Sequence, residues 1–197
     1  MNIKVTMQLE SQEGSPYSQG RHIDQSDKRD KETADEFEKR SWPRRLNVNE
    51  AGQVFIPPAA IKNGLTSTAK YRNESIKGKG KQTYTKKFTS GTLVIDPIVL
   101  HDGKGPVLAT DVEGEWLFVP ADGRRGGTTR VPRCFPKIPH WTGEAVVYIL
   151  DETITQDIFE KYMKDFGNLI GVGRFRPESN GFYGRFKVLS VNWEPQE

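Results

Sequence analysis

Ala145-Val146-Val147-Tyr148-Ile149-Leu150 is an unbroken apolar run, followed after a polar break by Thr155 and then by Ile158, Phe159, Tyr162 and Phe166. A short apolar run bounded by polar residues predicts a central strand. Thr155 is a good N-cap, and the spacing of the four apolar residues after it predicts one face of a helix that stops at Gly167. Phe186, Val188 and Ser190 then alternate with Lys187, Leu189 and Val191 toward Trp193, which predicts a last strand. This half of the chain therefore reads strand, helix, strand.

The N-terminal half repeats that order. Ile3, Val5, Met7 and Leu9 alternate with Asn2, Lys4, Thr6 and Gln8, the period of a half-buried strand. Leu46–Asn49 and Gln53–Ile56 flank Glu50-Ala51-Gly52 as a small hairpin. Pro57-Pro58 opens a helix in which Ile61, Leu65 and Thr68 or Ala69 share a face, running to about Asn73. Gly64 inside it costs about 1 kcal/mol relative to alanine, which points to close packing as its reason. Thr92, Val94 and Asp96 alternate with Leu93, Ile95 and Pro97 in a further strand to about Leu100. The sum is βαββαβ: an α+β, ferredoxin-like (RRM-like) palm with a four-stranded antiparallel sheet and two helices on one face.

All 197 residues read as one such domain, with insertions near residues 10–45, 74–90 and 101–142. Thr33–Arg40 reads as a short charged helix ended before Pro43, Trp116–Val119 as a short strand, and Lys77–Lys81 and Pro120–Pro139 as basic loops. Apolar residues make up only 35% and the mean hydropathy is -0.67, which fits a modest core carrying polar loops. No stretch approaches the roughly 18 apolar residues of a membrane span. The N-terminus has no apolar leader, so a cytoplasmic protein is expected. Cys134 is the sole cysteine, which excludes an internal disulfide and a cysteine zinc cluster. No metal or cofactor is expected, since phosphate-loop, zincin, dinucleotide and serine-elbow motifs are all lacking.

Charge is segregated although the net value is only +3. Asp24, Asp27, Asp30, Glu32, Asp35, Glu36 and Glu38 form an acidic run, whereas Lys62, Lys70, Arg72, Lys77, Lys79, Lys81, Lys86 and Lys87 face Glu74 alone. That is the footprint of a phosphate binder, the alternative being a solvated surface with scattered lysines.

Gly171-Val172-Gly173-Arg174-Phe175-Arg176-Pro177 and Asn180-Gly181-Phe182-Tyr183-Gly184-Arg185-Phe186-Lys187 carry the chemistry. Glycines let backbone amides approach a phosphate, arginines fork onto its oxygens, and Phe175, Phe182 and Tyr183 offer faces to unpaired bases. A glycine-rich turn whose aromatics enter the core is the competing reading, and Phe186 fits the core better than a base platform. The aromatic segment has the flavour of an RRM signature but lies on the last strand instead of the third, which disfavours an ordinary RRM.

A glycine-rich loop running into the last strand resembles the signature of CRISPR-associated RAMP proteins. Val54-Phe55-Ile56-Pro57-Pro58-Ala59-Ala60-Ile61-Lys62-Asn63-Gly64-Leu65 is similar to the strand-to-helix phrase of their backbone subunits. That phrase typically reads isoleucine-proline-glycine-serine-serine-isoleucine-lysine-glycine-alanine-leucine. This chain departs from it with Pro58 for glycine, alanines for serines and Asn63 before Gly64. The resemblance implies a palm with a projecting thumb that binds guide RNA and assembles along it. Its binding residues would be Lys62, Arg72, Lys77, Lys79, Lys81, Arg124, Arg125, Arg130, Gly171, Gly173, Arg174, Phe175, Arg176, Tyr183 and Arg185. The partners implied are single-stranded RNA or DNA and further copies or CRISPR-complex subunits. A mobile-element protein that mimics such a subunit is the alternative function. A RAMP endoribonuclease is the third, with His22, Asp24, Asp27 or Asp30 as its candidate catalytic residues.

Overall fold

In the computed structural model, which describes residues 2–121 and 127–196, β1 (Asn2–Ser11) turns Val5, Met7 and Leu9 inward. It lies between β7 (Thr142–Ile149) and β8 (Phe186–Gln196), with Val5 opposite Val147 on one side and Trp193 on the other. A bulge at Gln8/Leu9 shifts the pairing with β8. β3 (Thr92–Leu93) adds to the far side of β7 with Thr92 opposite Ile149, giving the antiparallel order β3-β7-β1-β8. This is the split-βαβ order predicted from the alternation of elements.

Two helices cover the buried face. α2 (Pro58–Arg72) contributes Ile61, Leu65 and Ala69, and α4 (Gln156–Asp165) contributes Phe159, Tyr162 and Met163, to the core that holds Val5, Met7 and Val147. Among these aromatics, Tyr162 stacks on Phe88 at 4.4 Å and Phe166 meets Phe186 edge-on at 5.0 Å. Gly64 is where α2 meets the end of the second helix: a Cβ there would fall 2.1 Å from the Phe166 ring. Gly167 does not end that helix. The chain continues through a π turn over Phe166–Ile170 to Gly171 at φ 71°. Gly167 is there because a side chain would strike the Phe186 carbonyl oxygen at 2.2 Å.

The insertions are more ordered than their composition suggests. Thr33 and Glu36 form a capping box that starts α1 (Ala34–Ser41), and a 3-10 turn over Trp42–Arg45 absorbs Pro43. β2 (Phe55–Ile56) pairs with β4 (Ile98–Val99), so the strand expected from Thr92 to Leu100 divides at Asp96-Pro97 between two sheets. Tyr84 and Phe88 are buried one turn apart and anchor α3 (Tyr84–Ser90), inside what reads from the sequence as polar insertion. Within the basic loop expected from Pro120 to Pro139, Arg130–Lys137 is strand: β5 (Glu113–Pro120) and β6 (Arg130–Lys137) form a ribbon from Glu113–Lys137 to Pro120–Arg130. A two-stranded ribbon has an unpaired side on each strand, so Pro132 and Pro136 break it less than they would a central strand.

Glu38 ties this ribbon to the body. Its carboxylate is 1% exposed and accepts from Arg45 at 2.8 Å, from Arg133 at 2.9 Å and from the Cys134 N–H at 2.9 Å. Burial on its own raises a carboxyl pKa, but the bonds from Arg45, Cys134 and Arg133 outweigh it and hold Glu38 below its ordinary value. Arg45 also donates to the Cys134 carbonyl at 3.0 Å, and its own carbonyl accepts the Arg21 N–H at 3.4 Å.

Two stability measurements check these points. Gly64→Ala gains helix propensity but drives a methyl into Phe166; overpacking dominates, with a loss of about 1–3 kcal/mol, or about 2–4 °C in Tm per kcal/mol. Phe166→Leu added to it recovers part of the loss; a higher Tm for Gly64→Ala alone would refute the close contact. Glu38→Gln leaves Arg45 and Arg133 without their buried anion and costs about 3–5 kcal/mol at neutral pH. Because the folded pKa is depressed, the clamp is at full strength above the unfolded glutamate value and fades as pH falls through the lower folded value. The difference between wild type and Glu38→Gln therefore shrinks in acid, and a gap that stays constant from pH 7 to pH 3 would contradict the clamp.

Candidate nucleic-acid interface

The glycine-rich segment folds back on itself and onto the chain leaving β1. Val172 N–H donates to the Gly184 carbonyl at 2.9 Å, Gly184 N–H to Pro16 at 2.9 Å, and Arg174 N–H to Ser18 at 2.8 Å. Gly171, Gly173 and Gly184 all have positive φ. A Cβ on Gly173 would meet the Ser18 carbonyl at 2.4 Å and the Tyr17 ring at 2.6 Å. The expectation that these glycines offer amides to a phosphate is corrected by this arrangement for Gly171, Gly181 and Gly184. Gly171, Gly181 and Gly184 donate to Phe166, Arg176 and Pro16, so those N–H groups already have partners inside the protein.

The side chains of the segment divide. The Arg174 guanidinium carbon sits 3.4 Å from the Phe135 ring centroid, and its Nη1 is buried without a hydrogen-bond partner. Burial, and then the nearby Arg45 charge, lower the Arg174 pKa, though an arginine stays protonated regardless. Arg176 is engaged within its own loop, donating to Glu178 at 3.0 and 2.7 Å and to the Gly173 carbonyl at 3.1 Å. Arg185 has a buried Nε with no partner, its backbone bonds to Ser15 and Gln12, and it does not line the cleft that Arg174 enters. Tyr183 is only 6% exposed and donates its hydroxyl to Glu115 at 2.8 Å, so its ring is a support and not a base platform. It meets Phe175 and Phe182 edge-on at 5.4 and 4.8 Å, leaving those two 42% and 53% exposed.

Arg174 opens into a cleft of about 1120 Å³ between the ribbon, the start of α2 and the chain after β1. Arg21, Arg130 and Arg174 reach it from three separate segments, together with Phe118, Phe135 and Phe175, and among the described residues no carboxylate lines it. Arg130 is held by a 3.2 Å bond to the Phe118 carbonyl, and Phe118 is 70% exposed. Arg21, Phe118 and Phe135 are not singled out by the sequence. Each stands in a stretch without a motif, and only the pairing of β5 with β6 brings the two phenylalanines beside Arg174.

The remaining candidates lie elsewhere. Lys62 donates inward to the Phe88 and Thr92 carbonyls and the Thr92 hydroxyl, which occupies all three ammonium protons. Arg72 pairs with Glu74 and Asp165 and stacks on Tyr162, so it too holds the fold together. Lys77, Lys79 and Lys81 lie past the C-terminus of α2, at the end opposite Pro57 and Ala60, which line the cleft. Arg124 and Arg125 lie outside the described residues. His22 is exposed, Asp24 caps the Ser26 N–H, which lowers its pKa, and Asp27 pairs with Arg44. Asp30 is exposed.

The acidic run is not a free acidic surface. Besides Asp24, Asp27 and Glu38, Glu32 pairs with Arg40 at 2.9 Å and Glu36 serves the Thr33 cap. On the open face of the main sheet β1 carries Lys4, Thr6, Gln8 and Glu10 and no aromatic, with Tyr148 of β7 opposite Lys4. Among the described residues no group of histidine, cysteine, aspartate and glutamate could hold a metal ion, and no helix is long and apolar enough to cross a membrane.

No protein-family model matches the sequence, and no curated protein matches it. Solved structures do. A chain of the cryo-EM structure of the type III-B Cmr-beta bound to cognate target RNA aligns over 98% of this protein with a TM-score of 0.60 at 12% identity. This protein spans 61% of the length of that chain. Cmr6 from Pyrococcus furiosus aligns over 95% of this protein and 99% of its own chain, with a TM-score of 0.49 at 15% identity. The first likeness establishes a shared fold that takes in the palm and its insertions together.

Proposed function

We propose that this chain is a RAMP-type binding protein for single-stranded nucleic acid, RNA above all, acting as a subunit of an RNA-guided CRISPR effector. One observation carries the reading: the buried, unpartnered Nη1 of Arg174 in an arginine-lined cleft that has no carboxylate among the described residues. A buried donor left without an acceptor costs about 1–3 kcal/mol, which an anion entering the cleft returns. Stacking on Phe135 holds the guanidinium plane in place before the anion arrives, so little freedom is lost on binding.

Arg21 and Arg130 extend the positive surface to either side, so successive phosphates of one strand are held together. The exposed faces of Phe118 and Phe175 suit unpaired bases, each stack being worth about 1–3 kcal/mol whatever the base. Such a site grips sugar–phosphate and tolerates any sequence. The fold shared with a chain from an RNA-bound type III-B structure, and the strand-to-helix phrase over Val54–Leu65, support membership of a CRISPR effector and partners drawn from its other subunits.

Arg174→Ala should weaken binding of single-stranded RNAs of unrelated sequence by about tenfold, equivalent to about 1.4 kcal/mol, in fluorescence anisotropy. Arg176→Ala, whose guanidinium already serves Glu178 and Gly173, should change affinity much less. Equal losses for the two variants, or no loss for Arg174→Ala, would reject the cleft as the binding site.

A further inference from the structure

A second cationic concavity, of about 670 Å³, lies between the turn that follows α2 and α3 and is lined by Lys79, Lys81, Lys86, Lys87 and Asp151. Asp151 pairs with Lys87 at 3.0 Å. Glu74 and Asp165, the acids on the neighbouring helix ends, are taken by Arg72 and Lys161. Among the described residues no ion pair engages Lys79, Lys81 or Lys86.

The turn that presents these lysines is built, not loose. Ile76 N–H donates to Gln82 at 2.8 Å, Lys79 N–H to Ile76 at 3.1 Å, and Gly78 and Gly80 take positive φ with open space around them. Like charges held together repel one another, and a polyanion relieves that repulsion. Among the described residues no aromatic lines the groove: Tyr84 and Phe88 are buried in the core, and the exposed Tyr71 at the end of α2 is not part of its lining, so the groove itself offers point charges. That chemistry suits a phosphate backbone and does not read bases.

The groove is separate from the cleft. α2 has 15 residues and is therefore about 22 Å long, with the cleft at its first turn and the lysines beyond its last. We infer that the lysine groove is a second phosphate-backbone site, filled by a stretch of nucleic acid beyond the one held in the cleft. The inference rests on the nucleic-acid reading of the cleft and adds to it: the bound strand must be long enough to pass along α2. A second copy of this chain is a poorer occupant, because five acids of its acidic run, Asp24, Asp27, Glu32, Glu36 and Glu38, are already paired or capping within its own fold.

The test compares an oligouridylate of about 8 nucleotides with one of about 30, the range over which single-strand sites are filled. Lys79→Gln/Lys81→Gln/Lys86→Gln together should lower affinity for the long strand by about tenfold or more, since the second site acts intramolecularly. The dependence of log affinity on log salt should become shallower by about 2, for three phosphates at about 0.7 each. Affinity for the short strand should not change, whereas Arg174→Ala should weaken both. Unchanged long-strand binding by the lysine variant, with Arg174→Ala still weakening both strands, overturns the groove and leaves the cleft standing. An Arg174→Ala variant that binds both strands as the wild type does would overturn the cleft instead. Poly-glutamate that displaces the long strand from wild type as effectively as polyphosphate does would assign the groove to an acidic protein and overturn the inference.

Discussion

Carbon atoms beyond the backbone are excluded at two points of the glycine-rich segment, and the candidate site depends on that exclusion. A Cβ at Gly184 would lie 1.8 Å from the Val172 carbonyl oxygen, and one at Gly173 would lie 2.4 Å from that of Ser18. Because nothing intervenes, the two limbs of the segment hydrogen-bond to each other and to the chain after β1. The backbone on either side of Arg174 is thereby fixed, and its side chain is laid across Phe135. A larger residue at either glycine would push the limbs apart and move the guanidinium off the ring. These glycines act by shaping the backbone, and the charge that meets a ligand belongs to their neighbours.

Charge in this protein is sorted by whether it has an internal partner. Glu38 holds Arg45 and Arg133 against the ribbon, Glu74 and Asp165 hold Arg72, and Glu178 holds Arg176. Arg72 and Arg176 look from the sequence like phosphate ligands, yet they, like Arg45 and Arg133, are part of the scaffold. Exposed pairs contribute little to stability, whereas Glu38, buried and accepting three bonds, is of a different order. What remains is a cleft with arginines and, among the described residues, no acid at one end of α2, and a lysine groove at the other. Neither is visible in a net charge of +3.

The fold was largely legible because its periodicities are strong. Alternation over Ile3–Leu9, the apolar run Ala145–Leu150 and the helical stripe of Ile158, Phe159 and Tyr162 each specify an element and a buried face. Gly64, a weak residue for a helix, correctly signalled a close approach, which proved to be the Phe166 ring. The β5–β6 ribbon was only half legible. Glycines, prolines and arginines between Pro120 and Pro139 read as loop, yet Arg130–Lys137 finds a full complement of partners in β5. α3 was hidden for a related reason: Tyr84 and Phe88 are two apolar positions in a lysine-rich stretch, too few to define a period.

Sequence alone determined the order of the palm's strands and helices, the faces they bury and the concentration of arginine, glycine and aromatic residues before the last strand, since these follow from local spacing. It could not say which cations face solvent. Lys62 and Arg174 are both basic residues in promising motifs, but Lys62 ends with three protein acceptors and Arg174 with a buried nitrogen that has none. That difference arises from pairings across long stretches of chain. Arg174 meets Phe135 only when β6 folds beside the glycine-rich loop, and Lys62 meets Thr92 only when β3 joins the sheet. Hydrogen-bond partners are set by proximity in space, and only the tertiary structure decides it.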